Sequence, residues 1–239
     1  FDGLIFSFPK NNSISGEGIA NEGINSTKLG LKGNPALAEH IQIARDLYLL
    51  EYTGGKLHIP TISSAKSVDL IREAKKKGLQ VTCSVSAHHL TLNDDELHGF
   101  DSNFKTNPPL RTKSDTKSLQ KGIKSGVIDI ITSDHNPIDI EHKKVEFSEA
   151  KDGVIGLESA FGAVNSVLNL EDFIENITSK PKAIFGLENH SIQENNTAEI
   201  TLFDPKNNYT FTKKHILSTS KNSPFLNKEL KGKAYGIYA

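Results

Sequence analysis

The stretch Ile130-Ile131-Thr132-Ser133-Asp134-His135-Asn136-Pro137 decides how the rest of the chain is interpreted. An apolar and β-branched run, followed by an acidic residue and an Asn-Pro turn, predicts a buried strand with a carboxylate at its C-terminal end. In a parallel β/α fold, active sites are built at that end of the strands. Asp134 therefore has two readings: it binds a metal and handles protons, or it caps the following turn.

Three further strand patterns precede the strand of this stretch, and helical patterns separate the four strands. The strands are predicted at residues 3–8, 56–62, 79–85 and 128–132. The helices are predicted to begin at Pro35, at Ser64 and at Ser114 or Asp115, each ending at a glycine. This alternation predicts parallel β/α units. A flavodoxin-like or Rossmann sheet needs about four or five of them and a barrel needs eight, but no strand here precedes a glycine-rich phosphate turn.

Two long connections and a change of pattern divide the chain. Residues 10–33 and 86–111 look like loops, and loops of that length usually have a functional role. From Ala198 onward, short strands without intervening helices are predicted at residues 198–203, 209–212 and 233–238. We therefore predict a β/α domain over residues 1–190 and a small β segment over residues 191–239.

Composition excludes several classes of function. The formal net charge is −1, which gives no electrostatic case for binding nucleic acid or an anionic membrane. No apolar run reaches the roughly 18 residues of a membrane span. The single cysteine, Cys83, excludes an internal disulfide, is expected to be a buried inert thiol, and favours a reducing cytoplasm. The chain has no methionine and opens inside a strand pattern, so we expect it to be part of a longer protein.

Five motifs, in this order, closely resemble the class I dihydroorotases, in the cyclic amidohydrolase group that includes allantoinases and hydantoinases. They are Lys56-Leu57-His58-Ile59-Pro60-Thr61-Ile62-Ser63-Ser64, Val81-Thr82-Cys83-Ser84-Val85-Ser86-Ala87-His88-His89-Leu90, Asn107-Pro108-Pro109-Leu110-Arg111, Ser133-Asp134-His135-Asn136-Pro137 and Gly153-Val154-Ile155-Gly156-Leu157-Glu158. Asn222-Ser223-Pro224-Phe225 and Leu230-Lys231-Gly232-Lys233 resemble the family's C-terminal β segment.

The resemblance implies an α/β fold, the second half (strands five to eight) of a (β/α)8 barrel of the TIM type, with a small C-terminal β appendage. It implies reversible hydrolysis of dihydroorotate to N-carbamoyl-aspartate, a step of pyrimidine synthesis, on a small cyclic amide. It also implies zinc as the cofactor, a cytoplasmic homo-oligomer and, as for some dihydroorotase-like proteins, aspartate carbamoyltransferase as a partner.

The resemblance also assigns residues. Asp134 matches the family's strand-eight aspartate, which would bind metal and shuttle a proton. Asn107 matches the substrate-loop asparagine, and an amide suits a ring amide as donor and acceptor. Gly153 and Gly156 lie in a segment that would cover the substrate. His135, next to Asp134, is expected to orient the metal ligand from outside the coordination shell.

The chain departs from the family pattern at three positions. Phe8 and Thr61 stand where the family has metal-ligand histidines, and Ile138 stands where it often has a substrate-contacting histidine. His58 is not expected to substitute, because strand alternation places residues 58 and 61 on opposite faces. Loss of two imidazoles predicts a degenerate metal site in which zinc is weakly bound or absent.

The adjacent pair His88-His89 is a further candidate for the metal. Because neighbouring residues rarely ligate one metal together, we expect a structural or substrate-side role instead. Four readings stay open at this point: an active dihydroorotase, an allantoinase-like or hydantoinase-like enzyme, a non-catalytic homologue that serves as a scaffold or partner subunit, and a free-standing α/β binding domain.

Overall fold

A computed structural model of the chain describes residues 3–188, 192–194 and 198–238. The strands are β1 (Leu4–Phe6), β2 (Ala20–Asn21), β3 (Gly33–Asn34), β4 (Lys56–Ile59), β5 (Val81–Ser86), β6 (Ile130–Thr132), β7 (Ile200–Thr210) and β8 (Glu229–Tyr238). The helices are α1 (Asn12–Ser15), α2 (Ile24–Leu29), α3 (Leu37–Thr53), α4 (Ala65–Lys76), α5 (Ala87–Thr91), α6 (Lys113–Lys124), α7 (Ile140–Lys143), α8 (Leu157–Val164), α9 (Leu170–Ile177) and α10 (Ser179–Phe185). Short 3-10 turns lie at Asp94–Gly99, Ser102–Phe104 and Lys213–His215.

The main sheet is parallel, with the strand order β1-β4-β5-β6. Each step along it crosses over through a long helix: α3, then α4, then α6. Because all four strands run the same way, their carboxyl ends meet at one edge of the sheet. This arrangement confirms the predicted α/β class. In the part of the chain that is described, β1 and β6 are the sheet's two outer strands.

The core lies between this sheet and its helices. Ile43 and Leu47 of α3, Ile71 of α4 and Ile123 of α6 pack in one apolar cluster with strand residues such as Ile59. Burial of each such side chain contributes about 1.5–3 kcal/mol. None of the helices in residues 3–188, 192–194 and 198–238 combines the length and apolarity that crossing a bilayer requires.

The predicted helix starts are partly right. Ser64 caps α4, as predicted, and accepts a hydrogen bond from the Ser67 amide. Helix α6 instead has Thr112 as its N-cap residue, which lies two residues before Ser114 and three before Asp115. Asp115 completes a capping box by accepting from the Thr112 amide at 3.1 Å.

The segment 10–33 is not the loop that its composition predicts. It contains the short helices α1 and α2 and the parallel pair β2–β3, in which Ala20 faces Gly33. Backbone pairs this short leave almost no periodicity in the sequence. Gly18 allows the close approach, since a Cβ there would collide with the Gly33 carbonyl and the Asn34 backbone.

The C-terminal β segment has two strands where three were predicted. Strands β7 and β8 form one long antiparallel pair, and a register shift between Asp204 and Asn208 takes up the irregular stretch that the sequence suggested was a break. Phe211 and Leu230 pack in one cluster with Leu110 and Ile155 of the β/α part. The domain boundary near residue 190 stays a prediction, and residues 189–191 and 195–197 lie outside the described part.

Candidate functional site

Asp134 lies just beyond the carboxyl end of β6, as the sequence predicts. Its backbone is left-handed, with φ of 45°. The side chain is 37% exposed, and burial raises the pKa of its carboxyl group. A partly buried carboxylate at the end of a strand can accept a proton and return it.

His88 faces Asp134 from the short helix that follows the neighbouring strand, β5. It lies in the first turn of α5, which follows β5 directly and is capped by Ser86. Its Nε2 is 3.6 Å from Asp134 Oδ2. The side chain is only 2% exposed, and Nε2 has no hydrogen-bond partner. Burial lowers the pKa of His88 well below its usual value, so the imidazole is neutral.

His89 has a different role from its neighbour. Its Nδ1 lies 2.6 Å from Ser86 Oγ and its Nε2 lies 3.2 Å from the Pro108 carbonyl. Because a carbonyl can only accept, Nε2 carries the proton and Nδ1 accepts from the serine hydroxyl. Burial lowers the pKa of His89 to about 4. Both ring nitrogens are therefore engaged, and the expected structural role fits His89 alone.

Phe8 and Thr61 lie beyond the carboxyl ends of β1 and β4, the same edge that carries Asp134. Thr61 is buried, has φ of 53°, and donates its amide to Ser84 Oγ at 3.1 Å. Phe8 is 41% exposed and lines a small cavity together with Asn107. The structure thus brings Phe8 and Asn107 together, and the phenyl ring offers no metal ligand.

The alternation argument for His58 needs correction. Strand β4 ends at Ile59, and the left-handed Thr61 lies past it, so strand alternation does not relate residues 58 and 61. His58 is nevertheless buried. Its Nδ1 lies 2.8 Å from Thr82 Oγ1, and its ring packs against Phe6 and Phe185.

The segment around Gly153 and Gly156 lies directly against the loop that carries Asp134. His135 and Val154 form a parallel bridge, and Asn136 donates its amide to the Val154 carbonyl at 2.8 Å. A Cβ on Gly153 would come within 2.5 Å of Asn136 Nδ2, and one on Gly156 would overlap the Ser133 carbonyl. The two glycines thus permit the close contact between this segment and the Asp134 loop. That the segment covers a bound substrate stays a prediction.

His135 contacts this glycine segment. Its Nδ1 accepts from the amides of Gly156 at 3.3 Å and Leu157 at 3.2 Å, at the start of α8. Its orienting role toward a metal ligand stays a prediction. The contact that the structure does show fixes the start of α8 next to the Asp134 loop.

Asn222 is a site residue whose role the sequence alone did not indicate. It is buried, and its Nδ2 donates to the carbonyls of Asn136 and Gly153, both at 3.1 Å. Its Oδ1 accepts from the Ile138 amide at 3.3 Å. One side chain from the C-terminal segment therefore joins the Asp134 loop to the glycine segment. The only signal was its position in a motif shared with the dihydroorotases.

A second missed feature is a buried polar network behind Asn107. Glu39 accepts from the Ser63 amide at 2.9 Å and from the Ser63 hydroxyl. Arg111 donates Nε to Ser63 Oγ at 3.1 Å and Nη1 to the Asn34 carbonyl at 2.7 Å. Both charged side chains are buried, and this network fixes the loop that carries Asn107. Helical spacing gives no signal for it, because its members come from the first turn of α3 and from separate loops.

The donors available to a metal are few. Among residues 3–188, 192–194 and 198–238, no three His, Cys, Asp or Glu side chains converge. Asp134 Oδ2 and His88 Nε2 are two facing donors, and the partnerless buried nitrogen fits a cation. A catalytic zinc usually has three protein ligands. The described residues therefore fit one side of a metal site.

Comparison with known proteins gives relatives over nearly the whole chain. No family model matches it. It is 42% identical over 236 residues to the dihydroorotase of Trichlorobacter lovleyi and 40% identical over 236 residues to that of Geobacter metallireducens, covering 97% of this chain and 56% of each relative. It is 42% identical over 237 residues to the dihydroorotase of Endomicrobium trichonymphae. The chain thus spans 56% of the length of these relatives.

Solved structures agree on the fold. The L-hydantoinase (dihydropyrimidinase) of Arthrobacter aurescens superposes with a TM-score of 0.87 at 22% identity, over 99% of this chain and 56% of that one. The dihydropyrimidinase of Brevibacillus agri gives 0.82 at 21% identity, over 100% of this chain and 56% of that one. Over nearly its whole length the chain is similar in sequence to dihydroorotases, and its parallel β/α units match the C-terminal half of the barrel of the hydantoinases.

Proposed function

We propose that the chain contributes Asp134 and the substrate loop to a dihydroorotase, which reversibly hydrolyses dihydroorotate to N-carbamoyl-aspartate. The main support for this proposal is the partly buried Asp134 carboxylate at the carboxyl end of β6, in a chain that is 42% identical to a dihydroorotase. Asn107 lies beside Phe8 on the wall of a small cavity, and its match to the substrate-loop asparagine of the dihydroorotases supports recognition of a cyclic amide.

In this proposal the residues divide the work. The Asp134 carboxylate accepts a proton from the attacking water and returns it to the ring nitrogen when the amide bond breaks. The Asn107 amide orients the ring by donating and accepting. The segment 153–156, joined to the Asp134 loop by Asn222, restricts access of water. A divalent metal, which Asp134 and His88 would hold, supplies Lewis-acid polarisation of the carbonyl when bound.

The finer features of the family are part of the same proposal. Zinc is the metal we propose, because a carboxylate and an imidazole are among its common ligands. We propose the cytoplasm as the location, supported by the single buried Cys83. A homo-oligomer, and aspartate carbamoyltransferase as a partner, rest on the family relationship alone.

A dihydroorotate hydrolysis assay on the purified full chain, with and without added zinc, tests the proposal. We expect turnover that Asp134→Asn reduces roughly 100-fold or more, because proton transfer contributes at least that much. Leu217→Ser, on the exposed surface, is the control and should leave turnover unchanged. Hydantoin and allantoin, assayed in parallel, identify a hydantoinase-like or allantoinase-like enzyme if they react faster.

The second candidate is a non-catalytic homologue that acts as a partner subunit, and Phe8 and Thr61 favour it. Its signature is a folded chain with no turnover on any of the three substrates. Restoring both histidines, by Phe8→His with Thr61→His, separates the two candidates. We expect a gain in zinc uptake, and a gain in turnover if lost ligands limit the activity. Histidines placed at the exposed Tyr52 and Leu217 are the matched control.

A further inference from the structure

A cavity of about 520 Å³ lies between the C-terminal segment and two loops of the β/α part. Its wall is built from residues 101–103, 138–144 and 213–226. Two acidic residues line it, Asp101 and Asp139. Its basic lining residues are Lys143, Lys144, Lys213 and Lys221. Because the lysines outnumber the aspartates, the cavity carries a net positive charge, which favours an anionic ligand.

Lys143 is the buried charge of this cavity. Its side chain is 5% exposed, and its Nζ donates to the carbonyls of Ser102 at 2.7 Å and Lys151 at 2.9 Å. Within the part of the chain that the structure describes, no carboxylate forms an ion pair with it. Burial lowers the pKa of its ammonium group to about 8. A buried ammonium group without a counter-charge is stabilised when an anion binds nearby.

Donors without partners lie at the rim of the cavity. The side chains of Lys144 and Lys213 are exposed, and neither forms a hydrogen bond or ion pair with another described residue. The backbone amides of Thr219 and Ser220 likewise donate to no group among the described residues. Ammonium groups, hydroxyls and backbone amides together are the donors that bind phosphate oxygens.

We propose that this cavity binds a small anion that carries a phosphate group. Lys144 and Lys213 contact the phosphate oxygens, the segment 219–220 donates from its amides and hydroxyls, and Lys143 supplies positive charge from the interior. The volume lies within the range of pockets that hold small organic ligands, so the phosphate can be free or attached to a sugar or nucleoside. This inference goes beyond the proposed function and does not rest on it.

The cavity is separate from the candidate site but touches the same loop. Ile138 and Asn222 line the cavity, and Asn222 Oδ1 accepts from the Ile138 amide at 3.3 Å. The residues proposed to act on the substrate, Asp134 and Asn107, are not among the residues that line it. A bound phosphate therefore contacts the Asp134 loop without occupying the position of the substrate, and dihydroorotate should not displace it.

Calorimetric titration of the purified full chain tests the inference, with the ionic strength held constant by chloride. The probes are inorganic phosphate, ribose 5-phosphate and adenosine monophosphate. We expect saturable binding of at least one probe. Tighter binding of the two organic probes identifies an organic phosphate as the ligand, and equal or tighter binding of inorganic phosphate identifies free phosphate.

The double variant Lys144→Gln with Lys213→Gln should weaken binding roughly tenfold, because each exposed ion pair contributes a few-fold to affinity. Both side chains are exposed, so this variant is expected to fold. Lys66→Gln with Lys117→Gln is the matched control. It removes the same charge at two exposed lysines of α4 and α6, outside the cavity, and should bind as the parent chain does.

Amide NMR gives a second readout that needs no enzyme activity. Addition of phosphate should shift the amide signals of Thr219 and Ser220 and leave that of Lys117 in place. The inference is overturned if no probe saturates, if the two double variants bind equally, or if these signals do not move. Displacement of phosphate by dihydroorotate would also overturn it, because the cavity would then be part of the substrate site.

Discussion

Thr61 and Asp134 share an unusual backbone conformation at the edge where the strands end. Their φ angles of 53° and 45° lie in the left-handed region, which costs an ordinary residue about 1–2 kcal/mol. The turn after each strand requires this left-handed backbone, which changes the direction in which the side chain points. Sequence alternation predicts side-chain direction only within a strand, which is why it misjudged the relation of residue 61 to His58. Asp134 was identified instead from the apolar run before it and the Asn-Pro turn after it.

Stability should depend on pH through Asp134. Burial raises its pKa above the ordinary value of 3.8, so the folded chain holds the proton more tightly than the unfolded chain does. The parent chain therefore loses stability as the pH rises from about 3.8 through the folded pKa. Asp134→Asn lacks this loss, and Asn also tolerates the left-handed backbone.

Urea denaturation of both chains across the acid range measures this effect. The free energy of unfolding of Asp134→Asn, relative to the parent chain, should be smallest at low pH and grow toward neutrality. Leu217→Ser, which changes no titrating group, should keep a constant difference from the parent chain. A difference for Asp134→Asn that is equally constant would show that burial does not perturb this carboxyl group.

At the scale of elements, Asn222 joins the two loops that frame Asp134. Asn222→Ala removes hydrogen bonds to Asn136, Ile138 and Gly153, of which the bond to the Gly153 carbonyl is buried and the other two are partly buried. We expect a loss of about 2 kcal/mol in the free energy of unfolding, measured by urea denaturation. Amide exchange at Ile138 should accelerate, because that amide loses its acceptor.

The matched control for this prediction is Asn207→Ala. Asn207 is half-buried, and its side-chain amide makes an exposed hydrogen bond to the hydroxyl of Tyr235 at 3.3 Å. Its substitution should change the free energy of unfolding by less than about 0.5 kcal/mol. Equal effects of the two substitutions would mean that the Asn222 contacts do not stabilise the loops.

The elements themselves were predictable in proportion to their regularity. The sequence predicted the long helices α3, α4 and α6, because apolar residues recur on one face of each and a glycine ends each. It predicted the four parallel strands from their short apolar runs. The short elements in residues 10–33 were missed because pairs of two residues have no period. The Glu39–Arg111 network was missed because it joins residues that only the folded chain brings together.

At the scale of the whole molecule, the outer strand β1 is exposed. Ile5 is 56% exposed and Phe6 57%, and in the described residues no strand pairs with the side of β1 away from β4. If the chain were a free-standing α/β domain, the side chains exposed on this outer strand should be polar. Ile5 and Phe6 are apolar, which contradicts that hypothesis. An exposed apolar strand edge favours pairing with another chain or segment.

The isolated chain should therefore associate as its concentration rises. Ile5→Lys should shift the distribution toward the monomer, because a charge on an edge strand opposes pairing. Sedimentation velocity over a range of concentrations measures the change. Leu217→Lys, at a site 91% exposed but outside any strand, is the comparison, and an equal effect of both would place the association elsewhere.

The close contact at Gly156 has a consequence for any survey of tolerated substitutions. In a saturation library, every codon that adds a side chain at this position forces the Ser133 carbonyl, and with it the neighbouring aspartate, out of place. Such variants would be scored as functionally dead although no chemical group had been removed. A growth-based screen would therefore rank Gly156 with the reactive residues, and only a parallel measurement of folded protein abundance would tell a spacing requirement from a chemical one.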